Sequence, residues 1–280
     1  YFYMITPKVT LIIATYNAVD WLEKVLLGYK VQTYSDFEII IADDGSDVNT
    51  KILIDGFKKN YPVNITHLWH EDLGYRRQTI LNEAIVMAKN EYIVFTDGDC
   101  IPKNNFIELH AKYAEKGRFI SGGYCKLDMP LSNFISKDSI LNGECFDVKW
   151  LNKHGNIGSS QFRKLATGPR MSSFLDLITT SRASFNNCNS SAWKSDLLAI
   201  NGYDERMLYG GPDRELGSRL ENYKVSGKQV RHTVLCLHLD HPRGYKTKES
   251  LDRNLAIRAS TKKENKVWTD YGIVKDETNN

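Results

Sequence analysis

Two aspartates, Asp97 and Asp99, flank Gly98 just after the apolar run Tyr92-Ile-Val-Phe-Thr96. Carboxylates one residue apart at the exit of a strand can reach one hard cation, and Mg²⁺ or Mn²⁺ held this way keeps open positions for phosphate oxygens. Gly98 allows a tight turn or a close backbone approach to a ligand. Asp-Gly is also a common turn dipeptide, so the meaning of the hook depends on what else gathers beside it. Other polar segments follow apolar runs in the same manner: Thr15-Tyr-Asn17, Asp43-Asp-Gly-Ser46 and His70-Glu-Asp-Leu-Gly74. Farther along, Asp213 opens a helical pattern after Tyr209-Gly-Gly-Pro212, and His238 and His241 stand at the end of the run that starts at Thr233.

The elements that must position these groups alternate regularly. Strands are expected at Lys8 to Ala14, Phe37 to Ala42, Val63 to Trp69 and Tyr92 to Thr96, with helices between them near Ala18 to Gln32, Thr50 to Lys59 and Arg76 to Ala88. The first helix carries Val19, Leu22, Val25, Leu26 and Tyr29 at helical spacing, and Asn17 is placed to cap it. This alternation, with nearly continuous apolar strands, is the signature of an α/β fold with a Rossmann-like, mostly parallel sheet flanked by helices. Ligands of such sheets sit outside the carboxyl ends of the strands, where all four polar segments fall. No glycine follows the first strand in Ala14-Thr-Tyr-Asn-Ala-Val-Asp20, which excludes a dinucleotide fingerprint, and a P-loop is likewise missing.

Composition narrows the class. At 280 residues, 41% hydrophobic and 25% charged, the chain is that of an ordinary globular protein able to bury a full core. A net charge of +3 argues against wholesale nucleic-acid binding, although Lys and Arg concentrate in Arg243 to Lys248 and Arg253 to Lys266. Five widely spaced cysteines without a C-x-x-C read as reduced thiols. No run approaches the roughly 18 apolar residues of a membrane span, and no signal peptide is visible. A cytoplasmic location is expected, with peripheral contact at the inner face of the membrane. Tyr1-Phe-Tyr3 before Met4 is set aside from fold reasoning, and the polar tail Lys275 to Asn280 is expected to fray.

Pro7-Lys-Val-Thr-Leu-Ile-Ile-Ala-Thr-Tyr-Asn17, Asp43-Asp-Gly-Ser46, Gly74 with Arg76-Arg77, and Asp97-Gly-Asp99 together resemble the family 2 glycosyltransferases of GT-A fold, over roughly residues 7–125. The resemblance implies an inverting transfer from a nucleotide-activated sugar whose diphosphate is held on a divalent metal. It implies that Thr15, Tyr16, Asn17, Asp43 and Asp44 contact the nucleoside, that Arg77 lies near the base or diphosphate, and that Asp97, Gly98 and Asp99 form the metal–diphosphate site. The alternative for Asp43 and Ser46 is to cap the helix near Thr50.

The segment from Asn186 through His241 resembles the C-terminal part shared by β-1,4-galactosyltransferases and bacterial chondroitin-type polymerases. In those relatives a Gly-Gly-Glu-Asp turn presents the catalytic base, which here matches Asp213, with Pro212 replacing the Glu. Glu215 ranks second, and Asp213 as a helix-start carboxylate without chemistry stays open. A histidine at the end of a later strand completes the metal shell in the relatives and matches His238, with His241 next; a packed core histidine is the competing reading. An imidazole ligand would favour Mn²⁺ over Mg²⁺.

The expected organisation is a nucleotide-sugar half at 4–121, an acceptor and catalytic-base half at 122–245, and a C-terminal helix and tail at 246–280. Residues 122–185 read as less regular acceptor-side material, broken up by Gly and Pro with only a modest helical pattern between Leu131 and Trp150, and Ser159 to Ser173 as a flexible loop over the site or a segment disordered without ligand. The helix Glu249 to Arg258 has a basic outer face, suited to solvent or to an anionic surface. The leading reading is a metal-dependent transferase moving a hexose or N-acetylhexosamine from a UDP-sugar to an oligosaccharide or lipid-linked glycan acceptor, in surface polysaccharide synthesis. A Mg²⁺-dependent nucleotidyl- or phosphotransferase and a non-catalytic nucleotide-sugar-binding module are the alternatives.

Overall fold

The apolar runs of the first half become strands β1 (Val9–Thr15), β2 (Phe37–Asp43), β3 (Ile65–Trp69) and β4 (Tyr92–Asp97). Helices α1 (Val19–Lys30), α2 (Val48–Lys58) and α3 (Arg77–Met87) connect them. The computed structural model describes residues 6–155, 158–242 and 247–275; the expectations for Tyr1 to Tyr3, for most of the basic run Arg243 to Lys248 and for most of the tail Lys275 to Asn280 lie outside them. β1 and β2 are buried along their whole length, as strands covered by helices on both faces must be. They lie in the parallel order β3-β2-β1-β4. The register sets Thr15 opposite Asp43 and Ala14 opposite Asp97, which brings the polar strand ends level on one edge.

The caps differ from expectation. Asn17 does not cap α1; Ala18 stands at that position without a side-chain bond. Asn17 instead adopts a left-handed φ of 45° and accepts from the Asp47 N–H at 2.9 Å, while its own N–H donates to Ser46 Oγ at 2.8 Å. This stitches the first loop to the second. Asp47, and neither Asp43 nor Ser46, caps α2, accepting from the Asn49 N–H at 3.0 Å.

Beyond β4 come β5 (Cys100–Pro102), α4 (Phe106–Tyr113) and β6 (Arg118–Lys126). A series of short helices follows: α5 (Met129–Phe134), α6 (Lys137–Leu141), a 3₁₀ turn at Glu144–Phe146, α7 (Val148–His154), α8 (Ser159–Ala166) and α9 (Pro169–Ile178). The modest helical pattern between Leu131 and Trp150 is present as α5, α6 and α7, whereas the flexible loop expected at Ser159 to Ser173 is corrected to α8 and the start of α9. The Gly, Pro and Ser residues there act largely as helix punctuation: Asp128, Ser136 and Asp147 cap three helix starts, and Pro169 opens α9.

The chain closes with β7 (Ser190–Trp193), α10 (Lys194–Ala199), α11 (Pro212–Asn222), β8 (Ser226–His238) and α12 (Lys248–Lys263). The eight-stranded sheet runs β3-β2-β1-β4-β7-β6-β8-β5, mostly parallel, with β7 and β5 reversed. Apolar clusters fill both of its faces. At the seam, fully buried His110 joins α4 to β7 through Ser191 Oγ at 2.8 Å and Asn189 Oδ1 at 3.0 Å, and burial drops its pKa to about 3.

β6 and β8 pair in step from Arg118–Ser226 to Gly122–Val230, then jump to Gly123–Leu235. Residues 231–234 loop out as a bulge. A Cβ at Gly122 would lie 2.0 Å from Asn189 Oδ1, and one at Gly123 would lie 2.0 Å from the Arg231 carbonyl, so no side chain fits at either position. Among the described residues no helix is long and apolar enough to cross a membrane.

Candidate active site

The strand ends border a cleft of about 1840 Å³ that crosses from the β1–β4 edge to α11, β8 and α12. Thr15, Tyr16, Asn17, Asp44, Arg77, Asp97, Gly98, Asp99, Asp213 and His238 all line it. Asp43 does not. It is fully buried behind the wall, accepting from the Ser46 N–H at 2.8 Å and bonded to His67 Nε2 at 2.8 Å. Adjacent residues leaving a strand point to opposite sides, so only one of Asp43 and Asp44 could face the cleft.

Asp44 is the one that does. His70 Nε2 lies 2.8 Å from its carboxylate and the Arg76 N–H donates to it at 3.2 Å. Burial nonetheless raises its pKa above the usual carboxylate value. The half-exposed Tyr16 ring stands nearby, its hydroxyl donating to Asp72 at 2.8 Å. Thr15 Oγ1 is buried and without a hydrogen-bond partner, an orphaned group in the cleft wall. A Cβ on Gly98 would sit 3.0 Å from that same oxygen, and the Gly98 N–H donates to the Ala14 carbonyl at 2.8 Å.

The two carboxylates of the hook go to different partners. Arg77 donates to Asp97 Oδ1, while His241 Nε2 lies 3.1 Å from Asp99 Oδ2. Burial pushes the pKa of Asp97 up, the Arg77 charge opposes this, and the neighbouring Asp99 charge adds to it. Burial pushes Asp99 up as well, but the His241 hydrogen bond and the charges of His238 and His241 outweigh it and hold Asp99 low.

Among the described residues, the ligand atoms of Asp99, Cys100 and His238 all lie within 4.8 Å of one another. Asp97, expected in this set, is not in it. His238 Nδ1 is 2.9 Å from the Leu239 carbonyl, which accepts only, so in the neutral ring Nδ1 carries the proton and the Nε2 lone pair is the one left for a ligand. An oxygen and imidazole set with one lone pair so oriented fits a divalent transition metal. Burial raises the Cys100 thiol well above its ordinary value, which disfavours its thiolate as a ligand.

Across the cleft, Gly210 and Gly211 take φ values of 111° and 98°, a turn that only glycine adopts freely, and deliver Asp213 into the first turn of α11. Burial raises the Asp213 pKa; the Arg214 N–H, the Arg77 and Arg214 charges and the Asn187 backbone act against the rise. Glu215, the second-ranked base, is not in the cleft. It is buried in an ion pair with Arg219 at 2.8 Å and accepts from Thr261 Oγ1. Arg219 also donates to the Ile200 and Gly202 carbonyls, fixing α11 to the body beneath Asp213.

Sequence reasoning missed several wall residues. Tyr124, Lys126, Lys164, Asn187, Arg214 and Arg231 all face the cleft from the second half. Asn187 Nδ2 is another buried group without a partner. The Gly122-Gly123 pair inside a strand was the available signal, since paired strand glycines mark a bulge or a close approach.

Comparison with known proteins agrees with this architecture. The model of Glycosyl transferase family 2 matches residues 10–164, more than half of the chain. An uncharacterized glycosyltransferase, YfnE of Bacillus subtilis (strain 168), is 23% identical over 279 residues, covering 89% of this chain and 69% of its own. Chondroitin synthase of Escherichia coli is 25% identical over 231 residues, covering 78% of this chain and 32% of its own. Among solved structures, the mannosyltransferase PcManGT from Pyrobaculum calidifontis, in complex with GDP-Man and Mn2+, superposes with a TM-score of 0.58 at 18% identity, over 92% of this chain and 62% of that one. S. aureus TarS superposes at 0.54 and 12% identity, over 85% of this chain and 38% of that one. Except for the Bacillus protein, the chain spans less than two thirds of each of these relatives. The strand order, the strand-end carboxylates and the family match lead to one assignment: the chain belongs to the family 2 glycosyl transferases.

Proposed function

We propose that the chain transfers a hexose or N-acetylhexosamine from a UDP-sugar to a glycan hydroxyl with inversion, in the making of a surface polysaccharide. The observation that carries this reading is the meeting, across one cleft, of the Asp97–Asp99–His238 edge and the Asp213 carboxylate. In this reading Thr15 Oγ1 and Asp44 hydrogen-bond the nucleoside and the Tyr16 ring stacks on the base. Asp43 acts behind them, holding the loop that carries Asp44 and Ser46. Arg77 steadies Asp97 and the diphosphate.

Asp99 and His238 are the residues that would hold a divalent cation, with Asp97 able to join them only by giving up its Arg77 contact, and the imidazole favours Mn²⁺ over Mg²⁺. When bound, such a cation supplies the counter-charge that a departing diphosphate requires. Asp213 takes the proton of the acceptor hydroxyl as that oxygen attacks from the face opposite the leaving group, and its raised pKa makes it a better proton acceptor. The acceptor is an oligosaccharide or lipid-linked glycan, and peripheral contact at the cytoplasmic face of a membrane accompanies the lipid-linked case. Nucleic acid has no part in it.

The GDP-Man of the solved mannosyltransferase supports a second donor class, a guanine nucleotide sugar. The deciding assay is nucleotide release from a panel of UDP-sugars and GDP-mannose, without acceptor, in Mn²⁺, Mg²⁺ or EDTA. We expect metal-dependent UDP release from one or two sugars and its loss, by at least about a hundredfold, in Asp99→Ala. GDP release alone would replace the donor. No binding or cleavage of any nucleotide sugar would sink the transferase reading and promote the phosphotransferase or binding-module alternatives.

A further inference from the structure

The acceptor-side wall carries positive charge that the fold itself leaves uncompensated. Lys126, Lys164, Arg214 and Arg231 all line it, and none has a carboxylate partner among the described residues. Lys164 and Arg231 are the two that are partly buried. Lys164 Nζ donates to the Tyr124 carbonyl at 3.0 Å, and Arg231 Nη1 donates to Ser181 Oγ at 2.7 Å; both contacts are neutral. The Tyr124 ring, which the Lys126 and Lys164 ammonium groups approach at 5.9 and 5.8 Å, lies tilted beside His238 with ring centroids 5.8 Å apart, so the charge lies close to the strand-end carboxylates without touching them.

Arg231 is there because of the bulge. The jump in register at Gly122/Gly123 loops residues 231–234 out of β8 and turns Arg231 toward the cleft. Asp176, the carboxylate that adjoins the bulge, does not neutralise it. Both of its oxygens are occupied by the His232 and Thr233 N–H groups at 2.8 and 3.1 Å and by the Thr233 hydroxyl. The neighbours respond to this charge: burial lowers the pKa of Lys164, with the Arg231 charge acting in the same direction, and burial lowers His232, where the Asp176 charge opposes the drop and the charges of Arg231, Lys164 and Arg163 add to it. Like charges brought together in partial burial cost free energy until an anion joins them.

The nucleotide side has its own cation, Arg77, and it is already engaged with Asp97. The unpaired cations lie on the other wall, with Arg214 next to the proposed base. We propose that the acceptor is an anionic glycan, bearing a carboxylate or phosphate close to the accepting hydroxyl, and that Lys164 and Arg231 form the site for that anion with Arg214 and Lys126 at its rim. The inference rests on the transfer reading for the identity of the ligand as an acceptor, but the anion site is tested by binding alone.

The experiment is calorimetric titration of the protein with three glycans of equal length: an oligogalacturonate hexamer, a glycerol-phosphate hexamer and maltohexaose. At least one anionic ligand is expected to bind about tenfold or more tightly than maltohexaose, and whichever does so identifies carboxylate or phosphate as the recognised group. Binding should weaken by about tenfold in Lys164→Met/Arg231→Met, and by a smaller factor in Arg231→Gln, which serves if the double variant does not fold. Lys51→Met/Lys58→Met removes the same charge from the exposed α2 surface, where both lysines pair with Asp55, and should bind like the unaltered protein. Equal binding of maltohexaose, no binding of either anion, or equal weakening in the α2 variant would overturn the proposal. Failure of nucleotide release in the assay above would instead remove the transfer reading, and the titration would still report on the anion site.

Discussion

The two walls of the cleft handle charge in opposite ways. On the strand-end wall the acids described above each have a side-chain partner: Asp44 has His70, Asp97 has Arg77 and Asp99 has His241, while Asp43, behind the wall, has His67. On the facing wall Arg182 pairs with Glu221, but Lys126, Lys164, Arg214 and Arg231 have no carboxylate partner among the described residues, and the single proposed base, Asp213, is held mainly by backbone and turn geometry. The matched wall is preorganised for a ligand whose charge is met one group at a time. The unmatched wall is incomplete until something anionic arrives.

That contrast can be broken most directly at Asp213. Asp213→Asn keeps the shape and the backbone contact of the turn but cannot accept a proton. Transfer to acceptor is expected to fall by about 10²–10⁴ while nucleotide-sugar binding on the matched wall stays within a few-fold. Comparable loss of donor binding would mean that the walls are not separable, and unchanged turnover would return Asp213 to a helix-start carboxylate.

The support beneath that base is the next point of attack. Arg219→Met leaves Glu215 buried and unpaired and frees the Ile200 and Gly202 carbonyls, which should cost about 3–5 kcal/mol in urea unfolding. A cost below about 1 kcal/mol would show that α11 is held by its apolar face, and that the ion pair is incidental.

The smallest of these effects lies at the seam between the halves. His110 has a pKa near 3 when folded and the ordinary value near 6.5 when unfolded, so the unfolded chain binds the extra proton. The burden is absent above about pH 6.5 and grows by about 1.4 kcal/mol per pH unit as pH falls toward 3. Unfolding free energies of the unaltered protein and His110→Gln, measured between pH 7 and 5, should therefore converge as pH falls. Parallel curves would contradict the assignment.

How much of this was readable in the residues follows the same division. Strands β1, β2 and β4 and their loops were legible because a strand buried on both faces must be apolar throughout, and the polar segment that ends it must lie at the ligand edge; β3, only partly buried at the sheet edge, was legible from the alternation of strand and helix. Asp97, Asp99 and Asp44 could be placed on that ground. The burial of Asp43 could not, since which of two adjacent carboxylates turns inward depends on register and on His67, 24 residues away. The helices of 122–185 gave only a modest pattern because they are short and separately capped, with too few turns to set up a strong periodicity. Lys164 and Arg231 were invisible for a different reason. Nothing distinguishes them from 35 other Lys and Arg residues (37 in all, less these two) until a bulge and a helix bring them together.

β7 has a consequence for how the molecule is made. It is a four-residue strand from late in the chain, inserted antiparallel between β4 and β6, and β5 pairs only with the last residues of β8. During synthesis the parallel half is therefore complete in sequence long before its sheet is closed. β4, with Tyr92 to Phe95 largely apolar and destined for burial, waits as an open edge until residue 190 has emerged. A chain interrupted before that point presents an open edge for pairing with its neighbours, so the integrity of the parallel half depends on a strand that the parallel half does not encode.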